Sequence, residues 1–253
     1  MSRSSWTRTL PGDRRRGPGT GSFFQDLHTA HGTALLLGQG VAGFHGDGDG
    51  RVRAVGTADG RVLPADLVLV GVGAAPRTEL AEAAGLLTDE RCGGVVTDER
   101  LLTADPAISA VGDCAAHPDA RTGRRVRLES VQNAAGHARL VADRLTGSPR
   151  AYDDLPWFWS DQFTASLQIA GAAHEHDTSV VLEAEPDAFS VLLFHRGRLV
   201  AVESVDRPGD HMAARQLLSR GLPLGPEQAA APGFSLKEHF RTARTAAPVP
   251  AAA

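Results

Sequence analysis

The residues best suited to chemistry lie in the stretch Thr103-Ala104-Asp105-Pro106-Ala107-Ile108-Ser109-Ala110-Val111-Gly112-Asp113-Cys114-Ala115. A short apolar run enters Gly112, whose missing side chain lets a ligand approach the backbone, and then delivers an acid, Asp113, at a strand end. Such an acid can accept hydrogen bonds from the hydroxyls of a sugar or polyol, or it can simply cap the turn that follows. A second set is aromatic, in Pro156-Trp157-Phe158-Trp159-Ser160-Asp161-Gln162. Taken alone, that cluster reads as core or interface packing. The two cysteines, Cys92 and Cys114, do not form a C-x-x-C pair. A redox-active dithiol is therefore excluded, and any electrons must travel on a bound cofactor.

Two other spacings resolve into ordinary structure. Gly38-Gln39-Gly40-Val41-Ala42-Gly43 satisfies G-x-G-x-x-G, with Asp59 close to the acidic position expected about 20 residues on. The dinucleotide mechanism needs a helix N-terminus facing the pyrophosphate. Gly46, Asp47, Gly48, Asp49 and Gly50 would break such a helix, so the segment reads as strand, loop and strand. Asp47 and Asp49 lack the third ligand and distal glutamate of a calcium loop. His174-Glu175-His176 would set both histidines on one face of a strand, but no further ligand stands at metal spacing and no metal is assigned.

The elements that must position these residues follow from period and punctuation. Phe23–Ala30 has helical apolar spacing and stops at Gly32; Thr33–Leu37 reads as a short strand; Arg51–Thr57 and Arg61–Leu63 form a hairpin across Asp59-Gly60. Ala65–Val72 is a continuous β-branched run, the pattern of a strand buried on both faces. Thr78–Ala84 is helical with Gly85 past its end, Val95-Val96 and Ile108–Val111 are short strands, and a helix spans Val131–Leu145 before Gly147 and Pro149. Beyond Pro149 the strands Leu167–Ala170, Ser179–Glu183, Phe189–Phe194 and Leu199–Val205 alternate with turns, and helices cover Asp210–Ser219 and Leu236–Ala243. The organisation expected is a disordered segment 1–22, an α/β region 23–150, an α+β domain with an antiparallel sheet 151–245, and a tail 246–253.

At 253 residues and 42% hydrophobic the chain can bury real cores without staples. A net charge of -4 offers no electrostatic reason for a nucleic acid or an anionic membrane as partner. No run approaches the roughly 18 apolar residues that span a bilayer, and no apolar segment follows the N-terminal arginines as in a signal peptide. A cytoplasmic location is expected.

Four motifs then fall in order: Leu102-Thr103-Ala104-Asp105-Pro106, Ala110–Ala115, Glu129-Ser130-Val131-Gln132-Asn133-Ala134 and Pro156–Gln162. Together they resemble the FAD-dependent pyridine nucleotide-disulfide oxidoreductase family, and the tryptophan motif narrows this to its ferredoxin-reductase branch, the group of putidaredoxin and rhodocoxin reductases. The resemblance covers about Phe23 to Phe240 and implies a partial FAD- and NAD(P)-binding Rossmann-like region ahead of a C-terminal reductase domain. It implies that Gly112 and Asp113 hold the flavin's ribityl chain, and that Ser130 and Val131 lie beside the isoalloxazine at a helix N-terminus. Glu129 falls near the nicotinamide side, or pairs with Arg127. Trp159 would stand close to the flavin on the route to the iron-sulfur partner, with Trp157 as its outer neighbour and Arg139 presented to an acidic ferredoxin. Gly71 and Gly73 match the stretch where the NAD(P) domain hands the chain back to the FAD domain.

The reaction implied is hydride transfer from NAD(P)H to FAD, then single-electron transfer to a [2Fe-2S] ferredoxin. The two strand–G-x-G-x-x-G–helix units that open the family are not found, so the sequence reads as an N-terminally truncated copy. The alternative is a non-catalytic remnant that binds a ferredoxin or partner subunit. The choice between NADH and NADPH stays open.

Overall fold

A computed structural model describes residues 3–4, 19–172, 176–185 and 187–246. Expectations that fall on most of the first 18 residues, on His174 and Glu175, and on the tail after Ala246 lie outside the described residues. Contacts divide the chain into two compact units, Met1–Ala74 and Ala75–Ala253.

In the first unit, β1 (Arg3–Ser4) pairs in parallel with β2 (Ala34–Leu35), and α1 (Thr20–Ala30) lies between them in sequence. The helix begins ahead of Phe23, so residues expected to be disordered are helical. It stops as expected at Gly32, where φ is +80°, and the Gly32 and Thr33 N–H groups donate to the last-turn carbonyls of Thr29 and His28. The strands β3 (Val41–Gly46), β4 (Val52–Thr57) and β5 (Val62–Pro64) form an antiparallel sheet in that order. Gly38 to Gly43 thus leads into a strand rather than a helix.

Ala65–Val72 is the main departure from expectation. It forms no strand, and Leu67 and Leu69 are 87% and 94% exposed. An apolar β-branched run becomes a strand only where a neighbour takes up its N–H and C=O groups. Among the described strands none pairs with it.

In the second unit, α2 (Glu79–Ala83) precedes a small sheet of β6 (Val95–Val96), β7 (Ala115–Pro118) and β8 (Arg125–Val126). A 3-10 turn, Gly112–Cys114, leads into β7, and α3 (Val131–Leu145) follows β8. The helix has the bounds expected. Ser130 Oγ accepts the Asn133 N–H at 3.2 Å as its N-cap, and the buried Asn133, Gly136, His137 and Leu140 form one stripe. Ile108–Val111 contributes only a bridge from Ser109 to Leu102. Its backbone is spent locally, because Thr103 and Ile108 close a tight turn through Thr103 N–H to Ile108 O at 3.0 Å.

The remaining strands are β9 (Trp157–Gln162), β10 (Ala165–Gly171), β11 (Thr178–Glu185), β12 (Ala188–His195) and β13 (Arg198–Val205), antiparallel in the order β11-β12-β13-β10-β9. Arg196 and Gly197, at φ +49° and +75°, make the left-handed two-residue turn that matches strand twist. The helices α4 (Pro208–Ser219), α5 (Pro226–Ala229) and α6 (Leu236–Ala246) complete the unit. Leu192, Phe194 and Val202 of the sheet pack with Ala214 and Leu217 of α4 and with Leu236 to form the core. The contact division falls at Ala74, and within the second unit Tyr152 packs on Leu101 and Leu140 while its N–H donates to Glu99 O at 2.7 Å, so the segments on either side of Arg150 are packed together.

Removing the Phe194 side chain should leave a cavity and lower the unfolding free energy by about 3–5 kcal/mol. Leu69→Ser, on the exposed run, should change it by less than about 0.5 kcal/mol. Urea titration of the two variants checks both; an equal loss would mean that Leu69 is buried after all.

Candidate functional site

The polar residues singled out above converge where the 3-10 turn meets α3. Gly112 adopts φ +69° and is buried. Its N–H donates to Nδ1 of His137, on the second turn of α3, at 3.0 Å. The next residue, Asp113, is exposed, and its carboxylate makes no hydrogen bond or ion pair with the described residues. The backbone of the turn is held from its other side by Arg127, which donates to Cys92 O at 2.6 Å and Asp113 O at 3.1 Å. The same guanidinium pairs with Glu129 at 2.6 Å. Gly94 makes room for this arrangement: a Cβ there would stand 2.9 Å from both Arg127 Cδ and Cys114 O.

The N-terminus of α3 is open. Ser130 caps Asn133, while the first-turn N–H groups of Val131 and Gln132 have no acceptor among the described residues, and Val131 is 75% exposed. Gly112, Asp113, Glu129, Ser130 and Val131 therefore share one rim at the positive end of a helix dipole.

Beneath the rim, His117 of β7, His137 of α3 and Tyr152 stack edge to face, with ring centroids 4.8, 5.1 and 4.5 Å apart. The Tyr152 hydroxyl donates to Asn133 Oδ1 at 3.0 Å, and Asn133 Nδ2 donates to Leu128 O at 3.1 Å. Burial pushes His137 down to about 3, with the neighbouring His117 adding to the shift. Burial also lowers His117 and raises Tyr152 to about 12. All three rings are neutral near neutral pH.

Other predicted residues lie apart from the rim in the sequence of elements. Trp157 and Trp159 sit on the edge strand β9 with centroids 5.8 Å apart. The Arg215 guanidinium lies 4.3 Å over the Trp157 ring, and Trp159 is 49% exposed. Arg139 is exposed on α3. Gly71 and Gly73 belong to the first unit, in backbone without regular structure, with Gly73 at φ +93°. His117, His137 and Tyr152 were not foreseen as parts of this arrangement, Asn133 was named only within the Glu129–Ala134 motif, and the Arg127–Glu129 pair was one of the two readings of Glu129. One signal was present: Asn133 and His137 are four residues apart, on the face of α3 that also carries Leu140.

Two family descriptions match the chain in series. "Pyridine nucleotide-disulphide oxidoreductase" matches residues 8–138, beginning ahead of Phe23, where the resemblance was read to start, and "Reductase C-terminal" matches residues 157–240. Rhodocoxin reductase of Rhodococcus erythropolis is 47% identical over 216 residues, covering 85% of this chain and 50% of that protein. The ferredoxin reductase for the CYP199A2 system of Rhodopseudomonas palustris superposes with a TM-score of 0.84 at 42% identity, covering 92% of this chain and 57% of that one. The reductase in a covalent putidaredoxin reductase–putidaredoxin complex superposes with a TM-score of 0.85 at 37% identity, covering 95% and 58%. The chain thus spans about half the length of the curated relatives it matches.

The buried histidines set an acid limit on the fold. His137, near 3, and His211, lowered by burial to about 4, bind a proton less readily folded than unfolded, where the value is about 6.5. The unfolded state therefore takes up more protons as pH falls, so stability is fully present above about 6.5 and declines toward pH 4. Denaturation midpoints measured from neutral to pH 4 should fall steadily, and more gently in His211→Gln; a flat profile would mean that these rings titrate normally.

Proposed function

The chain belongs to the pyridine nucleotide-disulphide oxidoreductase family, and on that premise we propose that it forms the flavin-facing and partner-facing part of an FAD-dependent NAD(P)H:ferredoxin oxidoreductase serving a [2Fe-2S] ferredoxin. The observation that carries this reading is the unpaired Asp113 carboxylate, held on a left-handed glycine turn at the open N-terminus of α3. The rim fits a flavin chemically. A carboxylate without an internal partner accepts hydroxyl hydrogens of a polyol chain, Gly112 adds no bulk beside it, and free N–H groups at a helix N-terminus favour an electron-rich ring edge.

When bound, FAD would supply hydride acceptance and single-electron release. Asp113 and Gly112 hold the ribityl chain. Ser130 fixes the first turn of α3, so that Val131 presents its N–H to the ring, and Arg127 keeps Glu129 at the nicotinamide side. Gly71 and Gly73 return the chain from the NAD(P)-binding region. Trp159, with Trp157 outside it, lies toward the ferredoxin, and Arg139 attracts that acidic partner. The flavin region is assigned to 23–150 and the C-terminal reductase domain to 151–245, in a cytoplasmic protein. Among the described residues no helix is long and apolar enough to cross a membrane. The exposure of Leu67, Leu69, Val70 and Val72 favours a second reading, in which this chain by itself binds a ferredoxin without retaining flavin.

A chimera tests the assignment: the part of rhodocoxin reductase outside the matched half is joined ahead of this chain. It should bind FAD and reduce a [2Fe-2S] ferredoxin with NAD(P)H. Asp113→Ala should weaken flavin binding by about 1–3 kcal/mol. Trp159→Ala should keep flavin and small-acceptor reduction while slowing ferredoxin turnover, and Arg139→Glu should raise the ferredoxin KM in a salt-dependent way. A chimera that takes up no flavin, or three variants that lose it alike, would overturn the division of roles.

A further inference from the structure

We propose that His137 is a positioning residue whose unprotonated Nδ1 selects and holds the left-handed Gly112 turn that presents Asp113. The proposal deepens the reading of Asp113 given above and rests on it only for the turn's purpose. Glycine visits negative and positive φ about equally, and the space beside Gly112 does not decide between them, since the nearest atom to a Cβ there, Ala134 Cβ, would stand at an ordinary 3.5 Å. Something else must choose φ +69°. The Gly112 N–H is buried, and its acceptor is His137 Nδ1 at 3.0 Å. Turning the peptide away would leave a buried donor unpaired, a costly outcome.

An acceptor Nδ1 requires the neutral tautomer with hydrogen on Nε2. That Nε2 is buried without a protein partner, so the bond to Gly112 is the polar contact that orients the ring. Protonation would set two donors, Nδ1–H and Gly112 N–H, against each other. The groups around the ring oppose charging it. His117 of β7 meets it edge to face, and Tyr152, from the segment before β9, is a neutral phenol whose hydroxyl is engaged by Asn133. Of the acids near this cluster, Asp154 lies against Gly136 and Asp119, beside His117, is paired with Arg121 at 3.4 Å, while Arg121 also bonds the Asp153 and Asp154 carbonyls. Arg127 grips the far side of the turn through Asp113 O, and Arg139 faces outward on α3. Burial accordingly lowers the ring's proton affinity far below its ordinary value.

The test uses the full chain without flavin, so it stands or falls separately from the flavin reading. Long-range proton–nitrogen spectra near neutral pH should show His137 with a bare Nδ1 and a protonated Nε2. Hydrogen exchange at the Gly112 amide should be about tenfold faster in His137→Leu, which removes the acceptor. In His137→Gln, whose amide oxygen can accept in its place, exchange should stay within about threefold of wild type. On acidification, wild type should lose Gly112 protection as the ring charges, while the glutamine variant keeps it. A proton on Nδ1 near neutral pH, or equal exchange in the two variants, would overturn the proposal. Should the leucine variant fail to fold, the tautomer observed in wild type decides the matter.

Discussion

One hydrogen bond organises the candidate site: the buried Gly112 amide donating to His137. It ties a three-residue turn to the second turn of α3, so the direction of the Asp113 side chain and the placement of the helix N-terminus are set together. Arg127 reinforces the same junction from the opposite side by bonding two backbone carbonyls and Glu129. A guanidinium suits that task because its planar fork serves several acceptors at once. Asp113, Glu129 and Val131 of the rim are exposed, whereas Arg127 and His137, which orient it, are half-buried and buried.

The junction depends in turn on what lies below it. His117, His137 and Tyr152 form a small aromatic cluster with Leu101 and Leu140 nearby, and Gly136 allows the closest approach: a Cβ there would stand 2.8 Å from Asp154 Oδ2 and 2.9 Å from the Tyr152 hydroxyl. This is a packed polar interior that tolerates little change in charge or volume. Its neutrality near neutral pH and its sensitivity to acid share one cause, the desolvation of imidazole.

The C-terminal sheet contributes rigidity of a different kind. Ser190 of β12 bonds Ser204 of β13 and Asp210 of α4 at 3.1 and 3.0 Å, and Arg207 closes on Asp210 at 3.1 Å, fixing helix to sheet within an apolar core. On the far edge, β9 carries Trp157 under the Arg215 guanidinium and leaves Trp159 half-exposed.

The sequence by itself determined α3 to the residue, because a serine cap, an apolar stripe and a terminal glycine are local signals that agree. It also determined the Arg196-Gly197 hairpin and four of the five C-terminal strands, while Gly112, Asp113, Glu129, Ser130 and Val131 were singled out through a resemblance to a known family. What tertiary structure decided was everything that requires a partner. Ala65–Val72 has the composition of a buried strand, yet strand formation needs a neighbour to share its hydrogen bonds, and composition carries no record of one. Ile108–Val111 was claimed by a turn for the same reason. His137, silent in the sequence as one polar residue on a helix, became the acceptor that sets the Gly112 turn only when folding brought residues 25 apart into contact. Hydrogen bonds between distant residues depend on approach and burial, and those exist only once the chain has closed on itself.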